Sequence, residues 1–184
     1  RIRGDRVENL EAAIAHYHQA LLVYTQSDFP QDWAGTQNNL ANAYSDRIRG
    51  NKAENLEVAI AHFHQALLVY TQSNFPQDWA MTQSNLANAY KNRICGNKAE
   101  NLEAAIAHYD QALLVYTQSD FPQDWAMIQN HLGNVYSNRI RGDRAENIEA
   151  VITHYHNALL VYTQSDFPEQ WATTQYNLGN AYEN

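Results

Sequence analysis

The stretch SNFPQDWAMTQSNLANAY, Ser73 to Tyr90, opens on a proline and a tryptophan and then spaces asparagines along its remaining length, with nothing that resembles a catalytic group. It recurs. Trp33, Trp79, Trp125 and Trp171 lie 46 residues apart, as do Pro30, Pro76, Pro122 and Pro168, so the 184 residues are four copies of one 46-residue unit. A fixed period between about 20 and 50 residues marks a solenoid, a propeller or an array. No linker, low-complexity run or shift of composition interrupts it. One domain, residues 1–184, is therefore expected to grow by stacking the units 1–46, 47–92, 93–138 and 139–184.

Each unit predicts two helices. Gly50 ends one helix, and Asn51 followed three residues later by Glu54 has the form of a capping box, as do Asp5 with Glu8, Asn97 with Glu100 and Asp143 with Glu146. From there Leu56, Ala59, Ile60, Phe63, Leu67 and Tyr70 share one face at helical spacing. This helix, type B, should run about 20 residues, or roughly 30 Å. Ser73-Asn74-Phe75-Pro76 breaks it, because proline cannot continue the hydrogen-bond ladder but suits the first turn of the next helix. That next helix, type A, spans Pro76 to about Ile94, and each unit holds B and then A. Trp79, Leu86 and Tyr90, with Gln83 beside them, form its core face, while Met81, Ser84, Asn88 and Asn92 form a wet one. Neither apolar stripe can be buried alone, so adjacent copies must stack.

The chain is 45% apolar with a net charge of −8 and a pI near 5.4, which disfavours nucleic-acid phosphate as a partner. Cys95 is the single cysteine and stands where the other copies have Arg3, Arg49 and Arg141, so it belongs to neither a disulfide frame nor a metal pair. A reducing, cytoplasmic setting is expected. No signal peptide or 18-residue apolar run points to export or a membrane. The start at Arg1, inside a unit, suggests a fragment of a longer repeat protein.

NLGNAY (Asn177 to Tyr182), and in complete units a glycine turn followed by a stretch such as AIAHFHQAL (Ala59 to Leu67), resembles the tetratricopeptide repeat. Leu40, Leu86, Leu132 and Leu178, the alanine or glycine after each, and Tyr44, Tyr90, Tyr136 and Tyr182 match its first helix; Ala59, Phe63 and Ala66 match its second. The standard unit has about 34 residues, so this one is roughly 12 longer. Gln37, Gln83, Gln129 and Gln175 stand where the family has a tryptophan. The resemblance implies an all-α fold, an α-solenoid of antiparallel helix-turn-helix repeats wound into a right-handed superhelix, with A helices lining the concave side.

On that implication Asn42, Asn88, Asn134 and Asn180 form a ladder along a groove, flanked by Asn39, Asn85, His131 and Asn177. A carboxamide both donates and accepts, which suits the backbone of an extended peptide. The competing reading is that asparagine is merely tolerated on a solvent-facing surface. Three further positions vary in size and charge along the wet arc: Gly35, Met81, Met127 and Thr173; Asn38, Ser84, Asn130 and Tyr176; and Ser45, Lys91, Ser137 and Glu183. They form a specificity strip or reflect drift. The lysine positions of the family's carboxylate clamp read Asn38, Ser84, Asn130 and Tyr176, which argues against recognition of a C-terminal carboxylate.

Other features point to structure. His16 with His18, His62 with His64, and His154 with His156 lie two apart on helix B, where His108 pairs with Asp110 in the third copy; that spacing splays the rings apart and cannot chelate one ion. They read as flanking residues. Trp33 and its equivalents, with Phe29, Phe75, Phe121 and Phe167, read as core anchors. The Gln37 series calls for an inter-repeat hydrogen bond if buried. Arg47, Arg93 and Arg139 close A helices, where a cation favours the dipole. No nucleophile and base, phosphate loop, metal site or cofactor motif is present, so no enzyme activity is expected. Neither end carries a capping helix, which predicts head-to-tail association. Leu68 and Val69, beside Gln65 and Gln72, offer a convex apolar strip for lateral contacts. The leading expectation is a protein-binding scaffold with a peptide groove. Its alternatives are a self-assembling spacer, or the sensor arm of a larger bacterial protein bearing a CHAT protease-like or nucleotide-hydrolysing domain.

Overall fold

A computed structural model describes residues 5–183; Arg3 and the outermost residues of the first and last units lie outside that range. The described residues hold eight helices and no strand: α1 (Arg6–Ala20), α2 (Pro30–Asp46), α3 (Lys52–Ala66), α4 (Pro76–Asn92), α5 (Lys98–Leu113), α6 (Pro122–Tyr136), α7 (Arg144–Leu159) and α8 (Pro168–Tyr182). Odd-numbered helices are type B and even-numbered ones type A. The architecture is an all-α repeat solenoid in which each helix packs on the next, most closely where an A helix meets the B helix after it.

Helix B starts as the capping signal predicts. Gly50, Gly96 and Gly142 turn the chain at φ +79°, +79° and +83°, a region that side chains with a Cβ avoid. Asn51 Oδ1 then accepts from the amides of Ala53 and Glu54 at 2.8 and 3.5 Å, and Asn97 and Asp143 repeat the arrangement. The helix ends sooner than its apolar pattern suggests, after 15 or 16 residues. Leu68 N–H and Val69 N–H bond three residues back, to Gln65 O and Ala66 O, tightening the last turn. This brings Tyr70 into the core, its hydroxyl reaching Gln31 O at 3.5 Å; Tyr116 reaches Gln77 O at 3.2 Å in the next copy. The corner beyond it is tied by Thr71 Oγ1, which accepts from Asn74 N–H, before Pro76 opens α4.

Leu40, Leu86 and Leu132 are fully enclosed, Trp79 is buried and the other tryptophans are partly covered, so the expected core face of helix A points inward. Small residues bring the helices together: Ala34, Ala41, Ala80, Ala87 and Ala126 are entirely enclosed. On the opposite arc Asn42 and Asn88 stay half-covered, and Met81 and Asn92 are exposed.

Candidate ligand groove

Ladder residues Asn42, Asn88 and Asn134 are half-buried, while Asn180 is exposed. Two rungs are braced from within. Asn88 Oδ1 accepts from Tyr109 Oη at 2.7 Å, and Asn134 Oδ1 from Tyr155 Oη at 3.0 Å. Their amide groups turn back along the helix, Asn88 to Ser84 O and Asn134 to both Asn130 O and its Oδ1. Burial raises the phenol pKa of Tyr109, and pushes that of Tyr155 up to about 12, so both hydroxyls stay donors. Asn42 is different. The residue equivalent to these tyrosines is Phe63, which has no hydroxyl, and the Asn42 carboxamide has no hydrogen-bond partner among the described residues.

Polar clefts open between successive A helices. One of 400 Å³ is lined by Asn42, Ser45, Lys52, Asn85, Asn88 and Asn92 among others, and one of 440 Å³ by Asn134, Ser137, Arg144, Asn147, Asn177 and Asn180 among others. Their shared residues stand two units apart, so they are one feature repeated. At the intervening unit Lys91 replaces Ser45 and Ser137, and His131 replaces Asn85 and Asn177. The His131 ring stacks on Tyr109 with centroids 5.7 Å apart, and burial, aided by the charge of Lys91, pushes its pKa down to about 4. Lys91 is itself held below the usual lysine range, first by burial and then by Lys98. A third cleft, of 290 Å³, includes Met127, Asn130, His131 and Thr173; Met81 is exposed one unit earlier.

The position shared by Asn38, Ser84 and Asn130 departs from the wet-face expectation. Asn38 and Ser84 are almost fully enclosed, because these side chains point at the neighbouring A helix. Thr82 Oγ1 donates to Asn38 Oδ1 at 3.3 Å, and Asn130 Nδ2 donates to Thr174 Oγ1 at 2.6 Å. Between those two junctions Ser84 replaces the asparagine and Ile128 the threonine, so both members of the pair change together. Tyr176 is 70% exposed, since no described helix comes after α8.

Residues 33–73 match the family model of the tetratricopeptide repeat. That segment is a tetratricopeptide repeat, and the rest of the chain repeats its 46-residue pattern. The crystal structure of BtubC (BKLC) from P. vanneervenii is similar over 95% of this chain with a TM-score of 0.71, at 20% sequence identity. The array spans 66% of that protein's length, and the likeness is one of fold. No curated protein matches the sequence. Tetratricopeptide repeats generally mediate protein–protein interaction.

Two sets of side chains set aside in the sequence stitch the array together. Gln37, Gln83 and Gln129 are buried, and each accepts from the Nδ1 of a helix-B histidine: His62 at 2.5 Å, His108 at 2.6 Å and His154 at 2.7 Å. The second histidine of the pair serves the other side, with His18, His64 and His156 bonding Tyr44, Tyr90 and Tyr182. The histidines are thus more than flanking residues.

The arginines go beyond dipole capping. Arg47, Arg93 and Arg139 each fork onto a carboxylate of the preceding B helix, Glu11, Glu57 and Glu103, at 2.7 to 2.9 Å, and lie over the rings of Tyr44, Tyr90 and Tyr136. Their remaining donors meet Asn55, Asn101 and Asn147, whose amides bond Arg49 O, Cys95 O and Arg141 O in the glycine turn. The missed signal was the recurrence of glutamate 36 residues before each arginine. Among the described residues no cluster of histidine, cysteine or acid could hold a metal, and no helix is long and apolar enough to cross a membrane.

Proposed function

We propose that this array is a non-catalytic scaffold whose A-helix face takes an extended peptide or an extended segment of a partner protein. The observation that carries the reading is the repeated polar cleft, whose carboxamides at Asn42 and Asn85 have no hydrogen-bond partner among the described residues. Asn39 and Asn177 flank the same line, and Met81 and Met127 add apolar contacts at its edge. A carboxamide left open at a half-buried position is set to meet a peptide group, which also needs one donor and one acceptor. Asn88 and Asn134 act as shape, since their own bonds hold them in place.

Selection of a displayed random-peptide library on the immobilised array tests the reading. Captured peptides should lose affinity for Asn42→Ala and Asn85→Ala, two substitutions that break no bond within the described fold. Capture that is indifferent to both, or no capture, overturns it.

Self-association is a second reading with its own support. Gln175 and Tyr182 on α8 are exposed where Gln37 lies buried and Tyr44 and Tyr90 lie half-covered beneath a following B helix. At the other end α1 has Ile14 as its buried side chain and leaves Leu10, Tyr17 and Leu21 half-covered. A second copy docked head to tail would bury both surfaces. Sedimentation across a concentration series should show growing species that Tyr182→Asp reduces; strict monomers at all concentrations would exclude this mode.

A further inference from the structure

The sequence has three lysines, Lys52, Lys91 and Lys98. Among the described residues none of them meets a carboxylate, whereas Arg6, Arg47, Arg93, Arg139 and Arg141 all do. Lys52 and Lys98 each donate to a main-chain carbonyl at the end of an A helix, Ser45 O and Lys91 O. Lys91 has no such bond. Its side chain is half-buried one helical turn from Asn88, and the charged or titratable groups that act on it or feel it are Lys98 and His131. In a chain with a net charge of −8, this is a local concentration of positive charge that pairs with no carboxylate among the described residues.

We propose that Lys91 is an anion subsite that receives one aspartate or glutamate side chain of an extended peptide and so sets the peptide's register in the groove. The inference rests on the groove reading above and adds the chemistry of its ligand. A half-buried, unpaired ammonium is poorly solvated, so an incoming carboxylate restores the interaction that burial removed. The His131 ring is neutral at pH 7 and Lys98 is tied to the Lys91 carbonyl, so Lys91 is the ammonium there without a hydrogen-bond acceptor, which suits a carboxylate. The subsite is singular because the equivalent positions hold Ser45, Ser137 and Glu183. Clefts lie on either side of it, at Ser45, where Asp46 and Lys52 also line the wall, and at Ser137, where Arg139 and Arg144 do, and side chains flanking the acid would fall there.

The test compares peptides selected from one displayed random library on the wild-type array and on Lys91→Ser, which installs the residue of the neighbouring units; Lys91→Met, which keeps the aliphatic stem, is a second control. Thermal melts verify that both variants fold. Wild-type selections should be enriched in an acidic residue at one position. Changing that residue to its amide should weaken binding about tenfold, and both the enrichment and the tenfold effect should vanish in the two variants. Peptides that bind and respond to Asn42→Ala, with no acidic preference or with a preference that survives Lys91→Ser, overturn this inference and leave the groove reading standing. Failure to select any peptide on any form overturns both.

Discussion

Asn38 and Thr82 form a hydrogen-bonded pair inside an A–A junction, and the next junction replaces both with Ser84 and Ile128. Chemistry explains why they change together. A buried carboxamide facing the isoleucine would lose its partner, at a cost of about 1–3 kcal/mol. Ser84→Asn alone should therefore lower stability by about 2 kcal/mol, and Ser84→Asn with Ile128→Thr should recover most of that loss. Urea denaturation of the two single variants and the double checks it; additive effects would contradict the pairing. This position also shows where the sequence misled. Helical-wheel angle placed Asn38, Ser84 and Asn130 on the wet arc with Asn42, but the approach of the neighbouring A helix encloses them, and a wheel holds no information about that neighbour. Gln37 and its equivalents were easier to place, because a polar residue on the core face must find a donor, although nothing in the spacing named His62.

Among the elements, starts were legible and ends less so. Asn51, Asn97 and Asp143 cap B helices as their spacing from a glutamate suggests, and Pro76 opens α4 as expected. These signals are local, so a few residues suffice. The B helices stop several residues short of the expected end because Tyr70, Tyr116 and Tyr162 turn into the core of the adjoining corner, a tertiary demand that overrides helical propensity. Replacing the cap with Asn97→Ala removes the acceptor for Ala99 and Glu100 amides and should cost about 1 kcal/mol. A drop in the denaturation midpoint, restored by Asn97→Asp, is the expected result. The glutamate–arginine forks escaped sequence reading because each joins a B helix to the end of the A helix that follows it, 36 residues on, and the two meet only once the hairpin geometry is known.

For the whole molecule, the all-α repeat solenoid was legible in the periodicity, while the clefts depend on how much room each copy leaves. Periodicity also spreads the histidines through every junction, which predicts a shared acid sensitivity. His108 and His131 are pushed down to about 4 from an ordinary 6.5, mainly by burial, with His64 and Lys91 adding repulsion; His62, His64 and His154 are lowered too. A depressed histidine pKa means the unfolded chain binds more protons, so this contribution is complete above about pH 6.5 and shrinks as pH falls toward 4. Glu57 and Glu103, held below their usual 4.5 by the arginine forks, extend the loss to lower pH. The melting temperature should decline from about pH 6.5 downward, less steeply in His108→Gln; a flat profile through this range would refute the assignment.

The alternating junctions also restrict the array's genealogy. Near-identical tandem segments ordinarily tolerate recombination, since any copy can succeed any other. Here transposing the second and third segments would set Asn38 against Ile128, with no hydroxyl to meet its carboxamide. Order along the chain is therefore inherited as a property of the seams, and a shuffled descendant would need a compensating change on the facing helix before it could fold as firmly as its parent.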